Sequence, residues 1–423
     1  MAVLCPAADV TLDDEEDAGS CRQQAQRDLD STTKTTGEPM AVTTLSPAPT
    51  TTPASHRRPE EITPPLIFKE LRRGVLGQDK ALRFVCVAVF KHTTGKVPGN
   101  LLMIGNSGTG KTTIMNNLQR LYNEVPEYAP YRAVTIINAN LLVDADRLEF
   151  RPERLLAAVE QRARAVAGPK PTPERLVEAM ERATVCIDEI DKMSTILAGK
   201  PNALGVVLQQ GLLTLMEGEH VVFPTHAWVD GEEKAVKLSL DTRRMMFIGG
   251  GAFENLYEQV LDRVSKPGGG SKLRTQTIRT ADGQMRIETR FQLAEHLRPE
   301  DLFKFGMVPQ FVARFEKSVV LSDLDQEVLT EILHESFDSP FVRAREFFKI
   351  LKIDLELEDH AAALIAEAAG KDNRTGARAL RPIFTEIVNS LEFDPWDDPD
   401  LEPLEGGRWR LRITSDRVRQ FVR

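Results

Sequence analysis

One stretch restricts this chain more than any other: Gly105-Asn106-Ser107-Gly108-Thr109-Gly110-Lys111-Thr112. It carries the full pattern G-x-x-x-x-G-K-[ST]. The apolar run Leu101-Leu102-Met103-Ile104 precedes it, and Thr113 opens a segment whose Ile114, Leu118 and Leu121 recur at helical spacing. Strand, glycine loop and helix in that order make a phosphate cradle. The glycines let backbone N–H groups curl around phosphate oxygens, and the helix N-terminus adds positive partial charge. Residues Gly105 to Thr113 are therefore the candidate phosphate contacts. Lys111 can reach the terminal phosphates of a bound di- or triphosphate, and the Thr112 hydroxyl can ligate Mg²⁺.

A second anchor lies about eighty residues further on, where the short apolar strand Ala183-Thr184-Val185-Cys186-Ile187 ends in Asp188-Glu189. A carboxylate at a strand tip can complete a Mg²⁺ shell, and its neighbour can polarise an attacking water. Asp188 is accordingly the expected metal ligand, together with Thr112. Glu189 is the expected water-activating base.

Between and beyond these anchors, strands alternate with helices. The spacing predicts a helix over 79–92, a β-branched strand over 133–137, and helices over 153–166 and 174–182. A helix over 204–217 is ended by Gly218. Runs 220–228 and 235–240 flank Asp230-Gly231 as a hairpin, and 245–248 is a further buried strand. This alternation argues for an α/β fold with a parallel sheet flanked by helices. Past residue 320 the pattern turns mainly helical, with short strands at 353–357 and 409–413, as for a second, smaller domain.

Composition bounds what such a chain can do. The net charge is −9, but the first thirty residues hold eight acidic side chains against two arginines, leaving −3 for the rest. A body so close to neutral, without a stripe of aromatic and basic residues, argues against a nucleic-acid partner. Sixteen of the 26 residues from Ser31 to His56 are Thr, Ser or Pro. Residues 1–60 thus read as a disordered tail that cannot bury enough surface to offset chain entropy. The cysteines Cys5, Cys21, Cys86 and Cys186 form no C-x-x-C pair. With no apolar run of membrane-spanning length and an acidic start, the expectation is a cytoplasmic protein without a membrane partner.

Val185 to Met193, Val-Cys-Ile-Asp-Glu-Ile-Asp-Lys-Met, resembles the Walker B segment of the Clp-type AAA+ ATPases, the ClpX subfamily above all. Further stretches resemble that family in the same order. They are Val-Leu-Gly-Gln at 75–78, Gln-Gln-Gly-Leu-Leu-Thr-Leu-Met-Glu-Gly at 209–218, Gly-Gly-Gly-Ala-Phe at 249–253, the segment 301–314 ending Pro-Gln-Phe-Val-Ala-Arg, and Thr-Gly-Ala-Arg-Ala-Leu-Arg at 375–381. The resemblance spans roughly residues 62–395. It implies an AAA+ P-loop NTPase large domain over 61–318 and a small, mainly helical lid domain over 319–423. It further implies that Val75 and Leu76 line the adenine pocket, and that Arg314 is a finger reaching a neighbouring subunit's γ-phosphate. Arg378 would be the lid arginine that senses the nucleotide. A guanidinium, always charged and flat, suits phosphate oxygens.

Three departures from the family bear on function. The four-cysteine zinc-binding domain is replaced by the acidic, Thr/Pro-rich tail. The gripping loop Gly-Tyr-Val-Gly is replaced by residues 144–152, where Phe150 is the sole aromatic candidate and is equally a packing residue. The Ile-Gly-Phe loop expected between about 262 and 295 is absent; Lys266-Pro267-Gly268-Gly269-Gly270-Ser271-Lys272 and a polar stretch stand there. The expected function is therefore an ATP-hydrolysing homo-oligomer, a hexameric ring, that remodels protein substrates without a ClpP-type peptidase. The alternative is an ATP-dependent regulatory or assembly switch that threads nothing.

Overall fold

The computed structural model describes residues 62–144, 146–218, 220–266, 274–279, 285–371 and 375–422. The acidic, Thr/Pro-rich tail and the Gly268-Gly269-Gly270 run lie outside the described residues.

Five short strands form one parallel sheet: β1 (Leu101–Ile104), β2 (Val134–Asn138), β3 (Thr184–Asp188), β4 (Met246–Gly251) and β5 (Lys317–Val320). Their spatial order is β5-β1-β4-β3-β2. Every central strand reads as an unbroken apolar run because both faces of the sheet are covered. Leu101 and Met103 pack on one side with Ile114, Leu118 and Val89. Leu102 and Ile104 pack on the other with Val159, Leu208 and Leu212. The first side is roofed by helices Pro64–Arg72, Asp79–Thr93 and α1 (Lys111–Glu124). The second carries Pro152–Ala167, Pro173–Glu181, α2 (Ala203–Glu217) and Leu256–Ser265.

Because all five strands run the same way, their C-terminal ends share one edge. Ile104 lies beside Val320 and Gly251, and Asn138 lies beside Asp188. The glycine loop after β1 and the carboxylates at the tip of β3 are thereby carried to one rim, where open α/β sheets bind ligands.

The helices and strands expected from spacing are present, with ends shifted by a residue or two, except that the strand expected over 245–248 runs on through the glycines to Gly251. The hairpin is longer than expected, His220–Val229 paired with Glu232–Asp241, and turns at Asp230 (φ 54°) and Gly231 (φ 84°). Several elements were not anticipated. β5 is a four-residue edge strand with only two apolar side chains, both valines. Strands Arg274–Arg279 and Met285–Arg290 pair antiparallel inside the stretch read as merely polar. A polar hairpin leaves no period-2 pattern to read.

The C-terminal region has its own core around Ile353, Leu355, Ile365, Phe384 and Leu411. Strands Ile353–Leu357 and Arg408–Ile413 pair in parallel, and Leu401–Leu404 joins the latter antiparallel. Helices Gln326–Glu335, Pro340–Ile350, Asp359–Gly370 and Leu380–Phe393 pack around them. Among the described residues no helix is long and apolar enough to cross a membrane.

One buried group makes stability depend on pH. His92 is 3% exposed, and its Nε2 donates to the Arg182 carbonyl at 3.0 Å. Tyr131 meets the ring edge-on at 5.1 Å, and the Arg182 and Arg244 charges are nearby. Burial pushes this imidazole down to about 4 from an ordinary 6.5. Between those values the unfolded chain holds a proton that the folded chain refuses. Stability therefore rises with pH across this window; the contribution is complete above 6.5 and lost as pH falls to 4. Urea unfolding should show the parent losing about 3 kcal/mol more than His92→Gln between pH 7 and pH 4.

Candidate nucleotide-binding site

The loop after β1 is held in shape by its own backbone. Gly108 (φ 73°) and Gly110 (φ 102°) both lie in the left-handed region, and Gly110 caps α1. The Gly105 N–H donates to the Gly251 carbonyl at 3.3 Å, tying the loop to β4. Thr109 Oγ1 donates to the Asn106 carbonyl at 2.9 Å. The Lys111 ammonium donates to the Gly105 carbonyl at 2.6 Å and to that of Asn106 at 2.8 Å. Lys111 is thus folded across the loop it belongs to, and burial lowers it to about 8, against the opposing pull of Asp188 and Asp191.

The acidic pair faces this loop. Thr112 Oγ1 donates to Asp188 Oδ2 at 2.8 Å, bringing together the two residues expected to hold Mg²⁺. A hydroxyl and a carboxylate in contact are hard oxygen donors of the kind that ion takes, and phosphate and water oxygens fill the rest of such a shell. Glu189, the next residue, is exposed and sits at φ 55°, a strained turn that swings its carboxylate off the strand axis. Asn138 Nδ2 donates to Glu189 Oε2 at 2.5 Å. Asn138 was missed in the sequence. The signal was a polar residue closing the apolar run of β2, in register with Asp188.

The C-terminal region reaches the same loop. Arg378 Nη1 donates to Ser107 Oγ at 2.7 Å, and the Ala377 N–H donates to the Gly108 carbonyl at 3.2 Å. Gly108 and Gly376 pass so closely that a Cβ on Gly108 would overlap the Thr375 carbonyl. Val75 is buried in the core beneath α1 with Leu71 and Leu118, and Leu76 beside it is buried too. Gly77, next in line, lies against Leu324 and Val328, and Gln78 bonds both regions. The Gln78 amide donates to the Thr109 and Ser322 carbonyls at 3.0 and 2.8 Å and accepts from the Ser322 N–H at 3.0 Å. Gln78 was quoted within a block but given no role.

Arg314 is not brought to this loop. It precedes β5, whose Lys317 lies beside Leu101 at the start of β1, whereas the loop follows Ile104 at the other end. Asn100 Nδ2 donates to the Arg314 carbonyl at 3.2 Å, fixing it at the N-terminal edge of the sheet. Its guanidinium pairs with Glu217 instead, Nη2 to Oε1 at 2.5 Å. Phe150 is not displayed either. It ends the small hairpin Val143–Asp144/Glu149–Phe150, and its ring lies on Gly211 of α2, packed against the core. Leu148, at φ 52° and 51% exposed, is the apolar side chain near the tip.

Comparison with known proteins adds the family. The family described as AAA domain (Cdc48 subfamily) matches residues 96–318, which include the loop, the acidic pair and Arg314. A relative, the ATP-dependent Clp protease ATP-binding subunit ClpX from Bacteroides thetaiotaomicron, is 27% identical over 351 residues. The alignment covers 79% of this chain and 78% of that protein.

Proposed function

This chain belongs to the AAA domain family, Cdc48 subfamily, and from that premise we propose that it hydrolyses ATP as a ring-forming assembly that remodels protein substrates. That it is an ATP-binding AAA+ protein related to ClpX follows from the family match and the relative. The proposal assigns Gly105 to Thr113 to the phosphates, Thr112 and Asp188 to Mg²⁺, and Val75 and Leu76 to the adenine. Mg²⁺ held there would neutralise phosphate charge. Glu189 accepts the proton of the attacking water and Asn138 orients its carboxylate. Lys111 leaves the carbonyls of Gly105 and Asn106 for the terminal phosphates, and Arg378 covers them from the lid.

The observation that carries the oligomeric part is the place of Arg314. Within one chain it lies at the sheet edge opposite the phosphate loop, so as a finger it can serve only another subunit's site. The site is in this reading half of an interface. The packed Phe150 favours the second reading, a switch in which ATP alters assembly and nothing is threaded. No ClpP-type peptidase partner is proposed under either reading.

Turnover measured against protein concentration tests the first part: specific activity should rise steeply with concentration and then level off. Addition of an unfolded protein tests the second. Stimulation severalfold supports remodelling; a rate unchanged by unfolded protein selects the switch.

A further inference from the structure

We propose that Glu217 is the positioning residue that aims Arg314 at the neighbouring subunit's nucleotide, an inference that rests on reading Arg314 as a finger acting in trans.

Both backbones are fixed before the side chains meet. Arg314 follows the short helix Pro309–Val312 and lies between Phe311 and Phe315, two buried rings in edge contact at 5.3 Å. The Asn100 side chain holds the Arg314 carbonyl and, through Oδ1, accepts from the Phe247 N–H at 2.9 Å. On the other side, Glu217 is the last residue of α2, which Gly218 stops at φ 83°. Thr242, 1% exposed, donates to the Leu215 carbonyl at 2.5 Å, and the stem of Arg243 lies across Gly218 where no Cβ intervenes. What remains free at Arg314 is the long side chain alone, and Glu217 Oε1 takes one of its five donors. The remaining donors are left for phosphate oxygens.

On helix grounds Glu217 is badly placed. A carboxylate at a helix C-terminus adds to the negative end of the macrodipole, and α2 has no basic residue in its last turn. The charge is compensated from outside the helix, by Arg314. Side-chain exposures of 43% for Arg314 and 37% for Glu217 leave the pair worth little to the stability of a lone chain. Its value arises when a second subunit covers it, because a desolvated, hydrogen-bonded pair holds its geometry far more firmly. The same helix also bonds the approach to the finger: Gln209 Oε1 accepts from the Val308 N–H at 2.7 Å, and its Nε2 donates to the Met193 and Gly306 carbonyls at 2.6 and 3.1 Å. α2 is thus a strut from the segment behind Glu189 to the arginine of the next site.

The experiment is a double-mutant cycle on the full chain with Glu217→Ala, Arg314→Ala and the pair, read as kcat, KM for ATP and binding of a non-hydrolysed ATP analogue. Arg314→Ala is expected to lower kcat about a thousandfold. Glu217→Ala should lower it about tenfold with KM and analogue binding unchanged, and should cost nothing more once Arg314 is gone. Glu217→Gln, which keeps an acceptor at Oε1, should recover most of the loss and guards against a folding defect in the alanine variant. If Arg314→Ala slows turnover while Glu217→Ala leaves it unchanged or raises it, or if the two losses multiply, the positioning role is wrong and the finger stands. If Arg314→Ala turns over like the parent, the finger reading itself falls.

Discussion

Glu189→Gln is expected to leave ATP binding within about twofold of the parent and to lower turnover about a thousandfold. The substitution is confined to chemistry by the local geometry. Glu189 is exposed and buries no charge, so its replacement opens no cavity. Its carboxylate accepts from Asn138 Nδ2, and a glutamine carbonyl at the same place still accepts that hydrogen bond. The backbone at φ 55° is strained for either side chain alike. What the amide cannot do is take a proton from water. Asp188, which contacts Thr112 and stays in place, keeps the metal donors intact. Equilibrium binding of a fluorescent ATP analogue beside steady-state phosphate release checks both halves. Parent-like turnover would remove Glu189 as the base.

The sequence made the sheet and the front of the site readable for a physical reason. The strands β1, β3 and β4 are covered on both faces, so burial writes a continuous apolar run, and the functional residues follow directly at the strand ends. β5 is short and at the edge, and its exposed Lys317 and half-buried Ser318 would suit a loop equally well. Asn138 and Glu217 were harder. Each acts through one contact with a residue far along the chain, 51 positions away for Asn138–Glu189 and 97 for Glu217–Arg314. Periodicity is blind to such pairs. Phe150 shows the converse limit: the sequence left it open as a paddle or a packing residue, and only its partner Gly211, on a distant helix, decides for packing. Resemblance to a family supplied Arg378 and Arg314 as candidates, and the contacts of the two differ. Arg378 touches the phosphate loop of its own chain, whereas Arg314 stands at the far edge of the sheet.

The two left-handed glycines of the phosphate loop should behave differently, and the difference measures the lid. Beyond its chain neighbours Gly110 has no protein atom within 4 Å of where a Cβ would stand, so within the protein Gly110→Ala meets only the backbone penalty of a left-handed alanine, about 1–2 kcal/mol. That penalty falls on the loop alone, so ATP affinity should drop less than in Gly108→Ala. Gly108→Ala carries the same penalty and also drives a methyl into the Thr375 carbonyl. The turn Gly376–Ala379 must then move away, breaking the bond from the Ala377 N–H to Gly108 and carrying Arg378 off Ser107. Arg378, read above as covering the phosphates, is then lost to the nucleotide; a charge-assisted hydrogen bond is worth about 1.5–3 kcal/mol, so affinity should fall about ten- to a hundredfold. Calorimetric ATP titration of the two variants, with thermal unfolding to confirm that both remain folded, separates strain from lid contact. Equal affinities in the two variants would mean that the C-terminal turn rests on the loop without contributing to the hold on nucleotide.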